Sequence, residues 1–205
     1  MMLIAIEMAA VITAAIYGVL LALRKQFDFV GIFTVAFLVA FGGGTLRDLF
    51  LDRHPLFWIA NSRYALIVFG IALAGAAAPR MFVRSKRFLH IPDAFGLALF
   101  TVTGAAYALQ ADTSMFIAVL MGVVTGTFGG VLGDVTCNEI PSLFRAAPMY
   151  ATCSFVGACV FVLGMHLAVP FVWVAPTAAV LIVTFRLIAV RWNLQLPERG
   201  SDSAI

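Results

Sequence analysis

The sequence predicts an all-α integral membrane protein with seven transmembrane helices, arranged as two inverted three-helix repeats plus a seventh helix. The 205 residues are 63% hydrophobic and only 11% charged, whereas soluble domains are roughly 45–50% apolar and 25% charged. Seven apolar segments approach the ~20 residues that a helix needs to cross a bilayer. The first three segments align with the next three when the sequence is shifted by 86 residues.

The predicted spans are joined by short connections and divide the chain into four regions. They cover residues 4–23, 29–51, 62–79, 92–110, 115–136, 149–167 and 170–190. We interpret residues 1–91 as the first repeat, 92–169 as the second, inverted repeat, and 170–192 as the seventh helix. Residues 193–205 form a polar C-terminal tail that we expect to be poorly ordered.

The internal repeat depends on polar and conformationally special residues. The aligned pairs include Glu7 with Asp93, Asp48 with Asp134, Pro55 with Pro141, Tyr64 with Tyr150, and Gly43-Gly44 with Gly129-Gly130. Each repeat contains three spans, an odd number, so the two halves must have opposite orientations in the membrane. Inverted repeats of this kind are typical of many membrane transport proteins.

The basic residues predict the orientation of the chain. Ten lie in or beside one set of alternate loops: Arg24, Lys25, Arg80, Arg84, Lys86, Arg87, Arg145, Arg186, Arg191 and Arg199. The other set contains only Arg53 and Arg63. Because Lys and Arg concentrate in cytoplasmic loops, we predict an external N-terminus and a cytoplasmic C-terminus. The basic loop at residues 80–87 is expected to contact anionic lipid head groups.

Two glycine-rich stretches fall inside predicted spans, FGGGTLRDLF at residues 41–50 and FGGVLGDVTC at residues 128–137. Each glycine costs about 1 kcal/mol relative to alanine in a helix interior. We therefore predict that the second and fifth helices are broken at these glycines, with the exposed backbone lining a wet path. The alternative is close packing of the two helices through small residues.

Arg47 is the only basic residue predicted well inside a span. Charged residues in a membrane segment are costly and usually mark a functional site. We expect Arg47 to be an internal cation paired with Asp48 and Glu7, which lie at a similar depth. The alternative is an arginine that extends to the outer membrane interface.

The second repeat departs from this pattern, because Gly133 occupies the position equivalent to Arg47. Asp93 and Asp134 are therefore expected to lack a matched arginine unless Arg145 reaches them. Such a pair of carboxylates would attract cations. Alternatively, Asp93 only caps the start of its helix.

Other chemistries have little support in the sequence. The histidines His54, His90 and His166 are scattered, and the three cysteines form no C-x-x-C motif, so neither a metal site nor a disulfide is expected. No serine has a neighbouring base, so we expect no enzyme activity and no cofactor. No basic stretch is long enough to indicate a nucleic-acid partner.

The motifs GGGTLRD at residues 42–48, with Pro55 downstream, and GGVLGDVTCNEIP at residues 129–141 resemble the bacterial branch of the trimeric intracellular cation (TRIC) channel family. Related bacterial members are also labelled glycine transporters. The resemblance covers residues 4–190, although an arginine would be expected where Gly133 stands. It implies a homotrimer in the bacterial inner membrane, with one path in each protomer lined by kinked second and fifth helices. Potassium is the implied main ion, with sodium second.

The sequence therefore favours a monovalent-cation channel, and the residues predicted to act fall into two groups. The predicted pore or gate residues are Gly42, Gly43, Gly44, Thr45, Arg47, Asp48, Gly129, Gly130, Gly133 and Asp134, and the predicted charge-pairing residues are Glu7 and Asp93. The alternative function is a secondary transporter of a small amino acid such as glycine. In that case helix N-termini at a broken span would hold the substrate carboxylate.

Overall fold

A computed structural model describes residues 1–79, 89–144 and 148–196, and the structural statements below concern these residues. Within them the chain forms eight α-helices and no strand. The helices are α1 (Met2–Arg24), α2 (Phe29–Phe50), α3 (Phe57–Ala60), α4 (Arg63–Ala77), α5 (His90–Gln110), α6 (Met115–Thr136), α7 (Ala151–His166) and α8 (Phe171–Arg191).

Every predicted span coincides with one of these helices. Five of them, α1, α2, α5, α6 and α8, are long and apolar enough to cross a membrane, and α4 and α7 are shorter apolar helices of 15 and 16 residues. The protein is therefore an all-helical membrane protein. The predicted loop cations Arg80, Arg84, Lys86, Arg87, Arg145 and Arg199 lie outside the described residues, as does most of the predicted tail.

The turns around α2 and α6 are built alike at positions 86 residues apart. The side chain of Asp28 accepts a hydrogen bond from the Gly31 N–H at 2.8 Å, and Ser114 accepts one from the Ile117 N–H at 3.4 Å. Both are N-caps, which satisfy free N–H groups at a helix start. Left-handed φ angles also recur at this offset, with 57° and 54° at Gln26 and Asp112, and 49° and 56° at Asp52 and Asn138.

The helices pack as two similar groups. Helices α1, α2 and α4 contact one another, and so do α5, α6 and α7. Between the groups, α2 crosses α6 and α1 packs against α5, whereas α8 packs on α5 and α7. The charged residues predicted inside the spans are therefore enclosed by helices from both halves of the chain.

The predicted helix breaks are not seen, because α2 and α6 continue without interruption through their glycines. The glycines allow the two backbones to touch instead. A Cβ added to Gly43 would overlap the carbonyl oxygen of Thr125, and a Cβ added to Gly129 would overlap that of Val39. Tertiary contact at this crossing thus offsets the low helix propensity of glycine.

Candidate functional site

Arg47 lies at the centre of a fully enclosed charge cluster near the end of α2. Its side chain is 0% exposed, with Nη1 2.9 Å from Glu7 Oε1 and Nη2 2.8 Å from Asp48 Oδ1. The Nε–H also donates to Asp48 Oδ1 at 2.8 Å. The predicted pairing of Arg47 with Glu7 and Asp48 is therefore present, and extension of Arg47 to the membrane surface is not.

Aromatic residues complete this cluster. The hydroxyls of Tyr64 and Tyr107 donate to Glu7 Oε2 at 3.0 and 3.3 Å. The Arg47 guanidinium carbon lies 4.3 Å from the centroid of the Tyr107 ring and 5.1 Å from that of Phe57, both within cation–π range. We refer to Arg47, Glu7, Asp48, Tyr64 and Tyr107 as the Arg47 cluster. Its buried charges are all paired, as burial requires, although Arg47 Nη1, Arg47 Nη2 and Glu7 Oε1 make ion-pair contacts without hydrogen-bond geometry.

Asp48 also organises the chain that follows α2. Its Oδ2 accepts the N–H of Phe57, the first residue of α3, at 2.8 Å, and Arg53 Nη1 lies 3.4 Å from its Oδ1. Thr45 stands apart from the charges, because its hydroxyl accepts a hydrogen bond from the indole N–H of Trp58 at 3.1 Å. Thr45 therefore joins α2 to α3 rather than lining the Arg47 cluster.

A second charge cluster contains an arginine that was predicted to lie in or beside a loop. Arg186 lies on α8, is 5% exposed, and pairs with Asp93, which is 6% exposed. Arg186 Nη2 and Nε are 3.1 and 3.3 Å from Asp93 Oδ2. The prediction that Asp93 lacks a matched arginine is therefore wrong, and Asp93 does not cap α5, whose N-cap residue Leu89 has no side-chain cap hydrogen bond.

A signal for Arg186 was present in the sequence. The buried residues of α8 include Ala178, Ile182, Arg186 and Ala189, which are spaced by four, four and three positions. This spacing follows one face of a helix, so Arg186 lies on the face that packs against the protein. Counting charges near span ends overlooked this periodicity.

Arg186 also holds the segment that leads into α7. Its Nη1 donates to the carbonyl oxygens of Pro148 and Met149, both at 2.9 Å. Its guanidinium carbon lies 4.6 Å from the centroid of the Tyr150 ring. We refer to Arg186, Asp93 and Tyr150 as the Arg186 cluster. Each cluster thus contains an arginine, a partner carboxylate from the first turns of α1 or α5, and a tyrosine at the start of α4 or α7.

Asp134 has the same structural role as Asp48, although it sits beside a cavity. Its Oδ2 accepts hydrogen bonds from the Ser142 N–H at 3.0 Å and from the Ser142 hydroxyl at 3.3 Å. Asp134, Asp93 and Arg186 all line a cavity of about 460 Å³. An ion pair between Lys25 and Glu139 joins the chain after α1 to the chain after α6 at this cavity.

The remaining predicted glycines lie at close helix contacts. Added Cβ atoms at Gly42, Gly44, Gly130 and Gly133 would meet Leu132, Phe57, Tyr150 and Val39 respectively. These glycines are therefore packing positions between the two clusters. In the described part of the chain, no group of three or more His, Cys, Asp or Glu side chains is placed to hold a metal ion.

The two clusters lie at opposite ends of the bundle. Glu7 is near the start of α1, whereas Tyr17, about 15 Å further along α1 at 1.5 Å per residue, lines the cavity beside Asp93. Between them lies the α2–α6 crossing with the buried side chains of Val39, Phe41 and Phe100. The protein therefore presents two charged layers separated by a tightly packed apolar layer.

Comparison with known proteins identifies the family. A family model described as "Glycine transporter" matches residues 4–80 and 90–166, two segments that begin 86 residues apart. The UPF0126 inner membrane protein YadS of Escherichia coli K12 is 35% identical over 192 residues, which cover 92% of this chain and 91% of that protein. A UPF0126 membrane protein of Vibrio cholerae is 35% identical over 196 residues, 94% of this chain and 80% of that protein.

Solved structures share the fold over nearly the whole chain. The TRIC trimeric intracellular cation channel orthologue from Rhodobacter sphaeroides has 33% sequence identity and a TM-score of 0.86, over 94% of this chain and 99% of that one. A TRIC cation channel studied for the structural basis of its conductance has 27% identity and a TM-score of 0.88, over 98% of both chains. This chain therefore belongs to the bacterial branch of the TRIC channel family, whose members also carry the glycine transporter and UPF0126 names.

Proposed function

We propose that the protein is a monovalent-cation channel, with potassium as the main permeant ion and sodium as the second. The path would run inside each protomer of a homotrimer in the bacterial inner membrane. The observation that carries this proposal is the likeness to TRIC cation channels over nearly the whole chain, at TM-scores of 0.86 and 0.88. The charged layers inside a single protomer support a path through the protomer rather than between protomers.

The path would begin at the cavity lined by Asp93 and Asp134. A smaller cavity of about 20 Å³ shares the lining residues Asp93 and Tyr17 with it and borders Gly129 and Gly130 at the α2–α6 crossing. Carboxylates at such an entrance raise the local concentration of cations. Beyond the crossing lies the Arg47 cluster, where Arg47 would act as a counter-charge or gate.

The crossing itself would be the closed point of this path. Helices α2 and α6 touch there through Gly43 and Gly129. At Gly43 and Gly129 the contact is made by backbone atoms, so no side chain has to leave a pocket at these two positions when the helices separate. We propose that opening separates them, and that continuous helices rather than broken ones line the path.

We further propose that the two halves are inverted repeats and that the N-terminus is external. Contacts related by 86 positions support the repeat, because Gly43 meets Thr125 as Gly129 meets Val39. The N-caps and left-handed turn residues recur at the same offset. The excess of basic residues on one side supports the orientation.

Current recording tests the proposal directly. The purified protein is reconstituted in planar bilayers under opposed potassium and sodium gradients, and discrete current steps with a reversal potential set by the cation gradients are expected. Arg47→Ala and Asp134→Asn should each change unit conductance or selectivity. A folded wild-type protein that gives no current, or variants that both conduct like the wild type, would contradict the proposed mechanism.

A secondary transporter of glycine is the second candidate, because the matching family model carries that description. Uptake of radiolabelled glycine into proteoliposomes distinguishes the two. Saturable, substrate-dependent uptake without discrete current steps supports the transporter. Current steps without glycine uptake support the channel.

A further inference from the structure

The position equivalent to Arg47 in the second half of the chain is Gly133, which is closely packed. An added Cβ at Gly133 would lie 2.5 Å from Val39 Cγ2 and 3.2 Å from Leu21 Cδ1. A larger side chain fits there only if the side chains of Val39 and Leu21 shift. The arginine that pairs with Asp93 therefore comes from elsewhere in the chain.

Helix α8, which lies outside the matched halves, supplies that arginine. Arg186 pairs with Asp93, the counterpart of Glu7, through Nη2 and Nε. Its guanidinium carbon also faces the ring of Tyr150, as that of Arg47 faces the ring of Tyr107. An arginine, a carboxylate and an aromatic ring are thus assembled at both ends from different parts of the chain.

The two arginines differ in how completely they are neutralised. Arg47 is 0% exposed and lies within 2.9 Å of two carboxylates. Among the described residues Arg186 pairs with one carboxylate, Asp93, and its Nη1 donates to two backbone carbonyls. It also borders the cavity of about 460 Å³, so water or an ion in that cavity can reach the ion pair.

We propose that Arg186 is a tethered cation that occupies the Asp93 carboxylate and competes with permeating cations for it. This inference rests on the proposed channel function and names the residue that sets cation occupancy at this end of the path. A cation that enters the cavity gains Asp93 only when Arg186 moves away. The carbonyls of Pro148 and Met149 bind a different nitrogen, Nη1, from the two that hold Asp93.

The test compares R186Q, R186K and the control R191Q in planar bilayers, with unit conductance measured against potassium concentration. Arg191→Gln removes the same charge from the same helix at an exposed position. Removal of a competing ligand shifts binding at least about fivefold in typical coupled sites. R186Q should therefore lower the half-saturating potassium concentration by at least that factor, R186K, which keeps the charge, should lower it less, and R191Q should remain near wild type.

A purely structural role for Arg186 gives a different pattern. R186Q and R186K would then both reduce expression and total current, with no change in the half-saturating concentration. If R186Q fails to fold, D93N/R186Q replaces it, because this pair leaves no buried charge unpaired. That variant should lose potassium saturation, and saturation identical to wild type would overturn the inference.

The results also separate this inference from the proposed function. A wild-type protein that does not conduct potassium refutes the channel proposal itself. A wild-type protein that conducts, together with R186Q that saturates like R191Q, overturns only the role of Arg186.

Discussion

Replacement of Gly43 by alanine should destabilise the protein, although alanine is the better helix former. The new methyl group would overlap the carbonyl oxygen of Thr125, which belongs to a helix backbone and cannot rotate away. Inserting atoms into a packed core costs typically 1–3 kcal/mol, and alanine recovers about 1 kcal/mol of helix propensity. Because the contact is with backbone, we take the upper end of the cost and expect a net loss of about 2 kcal/mol.

Gly70 provides a matched control on α4. A Cβ at Gly70 meets nothing within 4 Å, so Gly70→Ala gains propensity without a packing cost. It should stabilise the protein by about 1 kcal/mol. The two variants therefore differ by about 3 kcal/mol, which corresponds to roughly 6–12 °C in melting temperature for a chain of this size.

Thermal unfolding in detergent, followed by circular dichroism or by loss of the monodisperse peak on size-exclusion chromatography, measures this difference at one heating rate. Gly129→Ala should behave like Gly43→Ala, because its methyl group would overlap the carbonyl oxygen of Val39. If Gly43→Ala melts at or above Gly70→Ala, the α2–α6 backbone contact is not a stabilising feature of the fold and the reasoning is refuted.

Two further predictions concern a buried ion pair and an exposed one. Arg47→Gln should cost about 3–5 kcal/mol of stability, because it leaves the buried Glu7 without its cation and Asp48 with only the more distant Arg53. The exposed Arg63→Gln should stay within about 0.5 kcal/mol of wild type, and equal melting temperatures for these two variants would contradict a buried Arg47. Lys25→Gln should cost no more than about 1 kcal/mol, because the side chains of Lys25 and Glu139 are 35% and 48% exposed. That small effect should vanish at high salt, and a loss that persists in 1 M salt would show a pair shielded from solvent.

Hydropathy and the 86-residue offset were sufficient to predict the seven longer helices and the pairing of Arg47 with Glu7 and Asp48. Span positions follow from local composition, which the bilayer constrains strongly. The depth of Glu7, Arg47 and Asp48 then follows from helical rise along α1 and α2. Because all three fall near the same end of the bundle, their pairing was predictable without any side-chain geometry.

Whether α2 and α6 break at their glycines was harder to predict. Low helix propensity favours a break, whereas close helix packing favours a continuous helix. A run of glycines weakens an isolated helix, but the sequence does not show which helix will cross it. The structure places the backbone of α6 against Gly43, and that contact decides the outcome. Helix α3 was missed for a similar reason. It has four residues, too few for periodicity, and depends on the hydrogen bond from the Phe57 N–H to Asp48.

The two charge clusters are similar in composition, but they differ in which helices supply the arginine and the carboxylate. The Arg47 cluster takes its arginine and both carboxylates from α1 and α2, so its charges move only if the first group of helices moves. The Arg186 cluster takes its carboxylate from α5 and its arginine from α8, which has no counterpart in the other half. A shift of α8 alone can therefore separate Arg186 from Asp93 while the Arg47 cluster stays closed. Since Arg186 also borders a cavity whereas Arg47 is fully enclosed, the Arg186 end is where cation occupancy can change at the lower cost in packing.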